Sequence, residues 1–210
     1  MATAVEAWAG LEEPFPTTEP IEPPLKPVPP PSKLTFEQAN QIARGRSFEL
    51  VDGKVIFKFG DNLHSDAQAL LCGAIGAYFK TKPIGRVRLE FTLCLWPENR
   101  YEARTPDLSM ILNESLKEEK YGSRAPDLAI EIVSEDDRWT DLFAKAKLYL
   151  EKGSRVVWIV DPYQKGVMVI TANERLWVND TLTCPEVLPD FSINVQDIFS
   201  WPSVPAKATE

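Results

Sequence analysis

An acidic residue, Glu131, lies at the centre of the apolar segment LAIEIV, which spans residues 128–133. A short apolar run of this kind is typical of a strand that is buried on both faces. A carboxylate moved into a dry interior costs several kcal/mol unless it is paired with a cation, protonated or bound to a metal. Glu131 therefore requires a partner, and its surroundings are the first place to look for chemistry.

A second carboxylate, Asp107, begins a predicted strand over residues 105–112. If this strand runs antiparallel to a neighbour over 127–134, its start lies beside the neighbour's end, and Asp107 meets Glu131 although 24 residues separate them in sequence. Two carboxylates about 4 Å apart repel each other by kilocalories per mole even at an intermediate dielectric constant. A divalent cation would relieve that repulsion, and carboxylate oxygens favour Mg²⁺ or Mn²⁺.

The helix predicted over 138–152 brings a third group towards Glu131. With Leu142 as the zero of a helical wheel, Lys145 lies about 60° away, at the edge of the apolar face, whereas Lys147 lies about 140° away and faces water. A lysine directed at the sheet can stabilise developing negative charge or orient a water molecule. The alternative is that Lys145 only covers apolar surface with its methylene stem.

Two segments together resemble a known family: PDLSMI at 106–111 and PDLAIEIVSEDDRWTDLFAKAKLYLEKGSRVVWIVDP at 126–162. The chain is similar to the Uma2-type endonucleases, also called the domain of unknown function 820 group, over roughly residues 34–200. That family is placed in the PD-(D/E)xK nuclease superfamily, which includes restriction enzymes. The resemblance implies an α/β fold with a restriction-endonuclease-like core, in which a central mixed β-sheet is flanked by helices.

The resemblance also implies roles for individual residues. Asp107 supplies the acid of the PD pair and Glu131 supplies the second acid, and both would bind the metal. The superfamily pattern has a lysine two residues after the second acid, but Val133 stands at that position here. In the family the lysine comes from the following helix, at the position of Lys145, which the helical wheel selects as well. Asp107, Glu131 and Lys145 are therefore the predicted catalytic residues.

Three further residues are candidates for supporting roles. Glu49, in FELVDG, matches a recurrent family position and is either a metal ligand, a group that supports one, or an exposed hairpin carboxylate. His64 opens a predicted helix and is either a phosphate contact or a surface or capping group. Asp127 shares the strand face of Glu131 but lies about 13 Å from it at 3.3 Å per residue, which favours a structural role. Five arginines either line a path for DNA or are solvated: Arg86, Arg88, Arg100, Arg104 and Arg124.

The first half of the chain shows clear secondary-structure signals. Thr35 and Gln38 have the spacing of a capping box at a helix start, and Asp52-Gly53 joins two short alternating runs as a hairpin. Apolar residues at helical spacing predict a helix over 62–80. Every second residue from Val87 to Leu95 is apolar, which predicts one strand with a polar side.

The second half predicts a strand–helix–strand unit. RVVWIVDP indicates a buried strand at 155–161, which should run parallel to the strand at 127–134 because a helix connects them. The segments GVMVI and RLWV indicate a meander that closes the sheet, and NVQDIF indicates a terminal helix.

Composition limits the class of protein. A chain of 210 residues with 44% apolar content suits one sizeable domain. Nine of the 18 prolines fall within residues 1–33, which predicts a flexible arm ahead of a nuclease domain at 34–200, with a tail at 201–210. No transmembrane run or secretory signal is apparent, and three scattered cysteines suit a reduced, cytoplasmic protein. The net charge of −8 argues mildly against a broad nucleic-acid-coating surface.

These observations predict a metal-dependent endonuclease that hydrolyses phosphodiester bonds of DNA with Mg²⁺ or Mn²⁺ as cofactor. DNA is the expected partner, no membrane is expected, and a homodimer is left open. The alternative from another class is a non-catalytic interaction or nucleic-acid-binding protein that retains the nuclease fold. The acidic composition and the displaced lysine favour that alternative, whereas the retained Asp107, Glu131 and Lys145 count against it.

Overall fold

The computed structural model describes residues 33–201. The predicted N-terminal arm at 1–33 and the predicted tail at 201–210 lie outside this range, apart from one residue of each. Within the described range the helices are α1 (Phe36–Ala43), α2 (Asn62–Thr81) and α3 (Trp139–Glu151). The strands are β1 (Phe48–Val51), β2 (Lys54–Phe57), β3 (Gly85–Leu89), β4 (Leu108–Leu112), β5 (Leu128–Ile132), β6 (Val156–Asp161), β7 (Gly166–Ile170), β8 (Arg175–Val178), β9 (Thr181–Cys184) and β10 (Leu188–Asn194).

A mixed sheet forms the centre of the fold. Among the described residues its strand order is β3-β4-β5-β6-β7-β8, and β1–β2 and β9–β10 form separate two-stranded sheets. The predicted parallel pair is confirmed, since β5 and β6 run parallel with Glu131 opposite Ile159. Strand β4 runs antiparallel to β5 with Leu108 opposite Ile130. The predicted α/β class with a central mixed sheet is therefore confirmed, and the start of β4 lies beside the end of β5.

Strand β5 is buried on both faces, which explains its nearly continuous apolar sequence. Leu128, Ile130 and Ile132 pack in one cluster with the buried face of α2. Ala129 and Val133, on the opposite face, pack in a second cluster with the buried face of α3. Because side chains alternate along a strand, Glu131 is directed to the α3 side of the sheet.

The N-terminal helix and hairpin form as predicted. The capping box at the start of α1 is present: Thr35 Oγ1 accepts a bond from the amide of Gln38, and Gln38 Oε1 accepts one from the amide of Thr35. The turn between β1 and β2 has positive φ at Asp52 (49°) and Gly53 (75°), as a two-residue hairpin turn requires. Leu50 of β1 bridges to Ala103, so the hairpin lies against the segment that leads into β4.

Two predictions from the sequence are wrong, one in the length of a strand and one in the type of a helix. The strand predicted over 87–95 is β3 only to Leu89, because Glu90 adopts a left-handed conformation (φ 44°) that ends the strand. Leu93 then makes isolated bridges with Arg104 and Gly122. The terminal segment NVQDIF forms a 3₁₀ turn at Val195–Ile198 and not an α-helix. The meander predicted for GVMVI and RLWV is confirmed, since β7 and β8 extend the sheet beyond β6 as antiparallel strands. The separate hairpin of β9 and β10 was not predicted.

The cysteines are free thiols, and none is suited to nucleophilic chemistry. Burial raises the pKa of the Cys184 thiol to about 12 and that of Cys94 to about 11, so both are protonated at neutral pH. Between residues 33 and 201 there is also no helix with the length and apolar character needed to cross a membrane.

Candidate active site

A pocket of about 470 Å³ opens where the start of β4, the end of β5, helix α3 and the segment between β2 and α2 meet. Asp107, Glu131 and Lys145, which the sequence predicts as catalytic, all line it, and so do Glu49 and His64. Asp107 and Glu131 are only 1% and 2% exposed, so both carboxylates are desolvated. A pair of buried carboxylates needs several donors or cations around it, and the structure supplies them.

Asp107 lies one residue before β4 and is held at both carboxylate oxygens. Oδ1 accepts a bond of 2.5 Å from Lys58 Nζ, while Oδ2 accepts one of 2.7 Å from the amide of Ile132. His64 Nε2 lies 3.3 Å from the same Oδ2. Burial opposes the charged form, but Lys58 and His64 outweigh it and hold the pKa of Asp107 well below its usual range.

Glu131 receives its donors from the next helix. Tyr149 donates a hydrogen bond of 2.7 Å to Oε1, and Lys145 Nζ lies 3.3 Å from Oε2. Lys145 and Tyr149 are one turn of α3 apart, so they share a helix face. Lys58 Nζ is 3.6 Å from Oε2. Burial raises the pKa of Glu131, and the nearby carboxylates of Asp107 and Glu49 act in the same direction. The two acids thus have pKa values that are pushed apart, a feature common in active sites.

Lys145 joins Glu131 to a third acid. Its Nζ lies 3.2 Å from Glu49 Oε1, and the lysine side chain is 22% exposed. Burial opposes the charged form, but Glu131 and Glu49 raise the pKa of Lys145 above its ordinary value. Lys147, on the same helix, is 75% exposed and pairs only with Glu151 at 3.7 Å. The structure therefore turns Lys145 into the site and Lys147 to solvent.

Glu49 and His64 are buried, which excludes the surface roles left open for them. Glu49 is 3% exposed and also accepts a bond of 3.3 Å from the amide of Thr105. His64 is 6% exposed, and burial alone would lower its pKa. The nearby Asp107 carboxylate outweighs burial and raises the pKa of His64, which favours the imidazolium form beside that carboxylate.

Asp127 lies outside the pocket and has a structural role. Its Oδ2 accepts a bond of 2.9 Å from the amide of Leu112, at the end of β4, and its Oδ1 accepts one of 3.3 Å from Ser115. Arg155 approaches the same carboxylate at 3.6 Å. Asp127 therefore holds the far ends of β4 and β5 together, and the structure does not bring it to Glu131.

The pocket is strongly acidic for a site that would receive a polyanion. Besides Glu49, Asp107 and Glu131 its lining includes Asp61, Glu90, Glu135, Asp136 and Asp137. Lys58 and Lys145 supply the opposing charge, and His64 adds to it when it is protonated. Of the five arginines considered for a DNA path, none lines this pocket in the described part of the chain. Arg86, Arg100 and Arg104 are paired with acids at 2.8–2.9 Å.

The donor set fits a hard divalent cation better than a soft one. Lys58 Nζ lies 2.5 Å from Asp107 Oδ1 and 3.6 Å from Glu131 Oε2, so one oxygen of each acid is within ion-pair distance of a single cation position. Mg²⁺ commonly binds proteins through one or two carboxylates and fills its remaining positions with water and substrate phosphate. Among residues 33–201 no cluster of three or more His, Cys, Asp or Glu side chains is arranged to hold a metal, which argues against an all-protein cage.

Two members of this site were not predicted from sequence. Lys58 follows β2, about 50 residues before Asp107, and no local pattern connects the two. Tyr149 carries the clearer signal, because it lies four residues after Lys145 on the same helix face. The apolar periodicity of α3 predicts that Tyr149 belongs to the core, and its ring is indeed buried. Its hydroxyl, however, donates a hydrogen bond to Glu131.

Comparisons with known proteins agree with this fold. The Uma2 family, described as "Putative restriction endonuclease", matches residues 35–196. A crystal structure of "a putative nuclease belonging to DUF820" from Anabaena variabilis ATCC 29413 is 22% identical and has a TM-score of 0.68, covering 80% of this chain and 98% of that one. A chain of the DrdV–DNA complex is 12% identical with a TM-score of 0.38, and the match covers 78% of this chain and 12% of that one. No curated protein matches significantly.

Proposed function

Because the chain belongs to the Uma2 family of nuclease-like proteins, we propose that it is a metal-dependent endonuclease that hydrolyses phosphodiester bonds of DNA. The observation that carries this proposal is the convergence of Asp107 and Glu131 on one cation position, with a second cation, Lys145, beside them. Two desolvated carboxylates directed at the same point are costly unless a cation stands there. A hydrolytic metal site provides a function for that arrangement.

Under this proposal Asp107 and Glu131 hold a Mg²⁺ or Mn²⁺ ion. Such an ion supplies a more acidic water and neutralises negative charge that develops on a phosphate. In hydrolysis, a water oxygen bonds to phosphorus while the bond from phosphorus to one bridging oxygen breaks, and a proton ends on the departing oxygen. The charge on the phosphoryl oxygens grows during this exchange, and an ammonium close to the reacting atoms stabilises it.

The chain's own residues fill distinct parts in this scheme. Lys145 provides the ammonium, since Glu131 and Glu49 keep it charged and pointed into the pocket. Tyr149 fixes the carboxylate of Glu131 by its hydrogen bond of 2.7 Å. The amide of Ile132 fixes Asp107 by a hydrogen bond of 2.7 Å, and His64 Nε2 lies 3.3 Å from the same oxygen. Glu49 acts through Lys145, whose orientation it sets, and is a positioning residue.

DNA is the proposed substrate on the basis of the family, which is described as "Putative restriction endonuclease". The pocket's excess of carboxylates would repel phosphates in the absence of divalent ions. Bound metal reverses the sign of the local field, so metal loading and substrate binding should depend on each other. Cleavage is therefore expected to require added divalent ions and to stop when they are chelated.

The test is a cleavage assay with single-stranded DNA, duplex DNA and RNA, each with Mg²⁺, Mn²⁺ or EDTA. We expect DNA fragments to appear with Mg²⁺ or Mn²⁺ and not with EDTA. Asp107→Asn keeps the size of the side chain but removes the charge that binds the metal, and it should give no fragments. Asp190→Asn, the same change at an exposed aspartate outside the pocket, serves as the matched control and should cleave normally.

Cleavage by Asp107→Asn at the wild-type rate would show that the activity arises elsewhere, including from a contaminating nuclease. Absence of cleavage by the wild type on each nucleic acid with each ion would favour the other class of function, a non-catalytic interaction protein with a nuclease fold. The acidic lining of the pocket is the feature that favours that alternative.

A further inference from the structure

Lys58 is the cation closest to Asp107, and its environment is unusual for a lysine. Its Nζ donates to Asp107 Oδ1 at 2.5 Å and to the carbonyl oxygen of Thr105 at 2.8 Å, and lies 3.6 Å from Glu131 Oε2. The side chain is 16% exposed. Burial disfavours the ammonium, but Asp107, Glu131 and Glu49 outweigh it and raise the pKa of Lys58 well above its usual range. The lysine is therefore a charged, anchored part of the site.

This ammonium lies within ion-pair distance of both carboxylates, 2.5 Å from Asp107 Oδ1 and 3.6 Å from Glu131 Oε2. Lys58 contacts both Asp107 and Glu131, whereas Lys145 contacts Glu131 and Glu49 and lies to one side. A divalent ion bound by Asp107 and Glu131 would have to stand at or very near the same place. Two cations at van der Waals distance in a desolvated pocket repel each other strongly. The ammonium and the metal thus exclude each other.

We propose that Lys58 is a built-in competitor of the metal: its ammonium fills the cation position between Asp107 and Glu131, and a divalent ion binds only when Lys58 withdraws. This inference rests on the proposed metal-dependent function, because it assigns the metal to the same two acids. Lys58 lies outside the predicted catalytic set, and its competition would make metal binding depend on its position. The ammonium neutralises Asp107 and Glu131 until a divalent ion binds them, and metal binding then releases Lys58 from both acids.

The chain around Lys58 allows such a withdrawal. Lys58 follows the last residue of β2 and precedes two exposed residues, Phe59 and Gly60, before α2 begins at Asn62. The amide of Lys58 still donates to the carbonyl oxygen of Ser47 at 3.2 Å, so withdrawal is a movement of the side chain while the backbone stays in place. A released ammonium stays within the pocket that Ile56, Phe59 and Asp61 also line. From there it would face an incoming phosphate, to which it is complementary in charge.

The first experiment measures Mn²⁺ binding by isothermal titration calorimetry to the full chain, with wild type, Lys58→Met and Lys145→Met. If the competent state with Lys58 withdrawn is populated in at most about one molecule in ten, removing the ammonium should lower the apparent Kd at least roughly 10-fold. Lys145→Met is the matched control, because it removes the same charge at 3.3 Å from Glu131 without contacting Asp107. A general loss of positive charge would tighten binding equally in both variants.

The expected result is a much lower Kd for Lys58→Met than for Lys145→Met. Detectable binding by Lys58→Met alone would support the proposal equally well. An unchanged Kd in Lys58→Met, an equal change in both lysine variants, or no binding by any of the three would overturn it. Asp107→Asn separates this inference from the proposed function: if it binds Mn²⁺ as tightly as the wild type, the metal assignment itself is wrong.

A second experiment uses the wild-type chain and does not depend on how well Lys58→Met folds. Brief acetylation followed by mass spectrometry reports how accessible each lysine amine is. Adding Ca²⁺, which binds carboxylates, should raise the labelling of Lys58 several-fold, while Lys54, an exposed lysine on the same hairpin, should be labelled equally with and without the ion. Labelling of Lys58 that falls or stays constant at saturating Ca²⁺ would contradict the proposal.

Discussion

Lys145→Met is expected to lower metal-dependent DNA cleavage by roughly 10²–10³, in line with the loss of one preorganised charge-stabilising donor. The lysine is aimed at the pocket by two acids, Glu49 at 3.2 Å and Glu131 at 3.3 Å. Methionine keeps most of the stem's packing, so a merely space-filling role would survive the change. The variant also leaves the buried acids without this cation, so we expect the free energy of unfolding to fall by roughly 1–3 kcal/mol.

Two controls make this prediction specific. Lys147→Met removes a lysine from the same helix that is 75% exposed, and it should leave cleavage unchanged. Circular dichroism at the assay temperature establishes that each variant is folded, so that lost activity is not lost structure. Equal cleavage rates for wild type and Lys145→Met would mean that this lysine is structural, and Lys58 would then be the remaining lysine in the pocket.

Trp158→Ala is expected to lower the free energy of unfolding by about 3–5 kcal/mol, the range for truncating a buried aromatic side chain. Trp158 is fully buried in β6, between Ile130 of β5 and Val169 of β7. Its ring lies 6.4 Å from that of Phe191, which ties the sheet to the β9–β10 hairpin. Removing the indole therefore leaves a cavity at the junction of two sheets.

Urea denaturation followed by far-UV circular dichroism measures this change through the shift in midpoint at constant slope. Leu176→Ala is the control, because Leu176 is 56% exposed on the edge strand β8 and should change stability by less than about 0.5 kcal/mol. Similar losses for the two variants would show that β6 is not at the centre of the fold. Restriction of the loss to Trp158→Ala would support the sheet order given above.

Strong local patterns predicted most of the fold. The strand–helix–strand unit of β5, α3 and β6 has a buried apolar run, a helical periodicity and a second apolar run, and each element formed within a few residues of its predicted bounds. The expected meeting of Asp107 and Glu131 depended on an antiparallel pairing of β4 with β5, and the structure shows that pairing. The extent of β3 was not predictable, because alternation continues to Leu95 while the backbone turns at Glu90.

The site was predictable only where residues share a local element. Lys145 was selected by its angle on a helix, and Glu131 by its contrast with the apolar residues around it. Lys58 gave no such signal, since a lysine after a short hairpin strand is ordinarily solvated. Its role depends on the packing of the hairpin against the segment before β4, a contact between residues far apart in sequence. The carboxylate hydrogen bond of Tyr149 likewise depends on the tertiary structure.

A crystal structure of the wild-type chain soaked in Mn²⁺, with anomalous diffraction recorded at the manganese edge, would locate the metal directly. We expect one anomalous peak within about 2.5 Å of carboxylate oxygens of both Asp107 and Glu131. We also expect Lys58 Nζ to have moved away from Asp107 Oδ1, from which it lies 2.5 Å in the present structure. A peak only at other carboxylates, or no peak with Lys58 still between the two acids, would contradict the assignment of this pocket as a metal-dependent nuclease site.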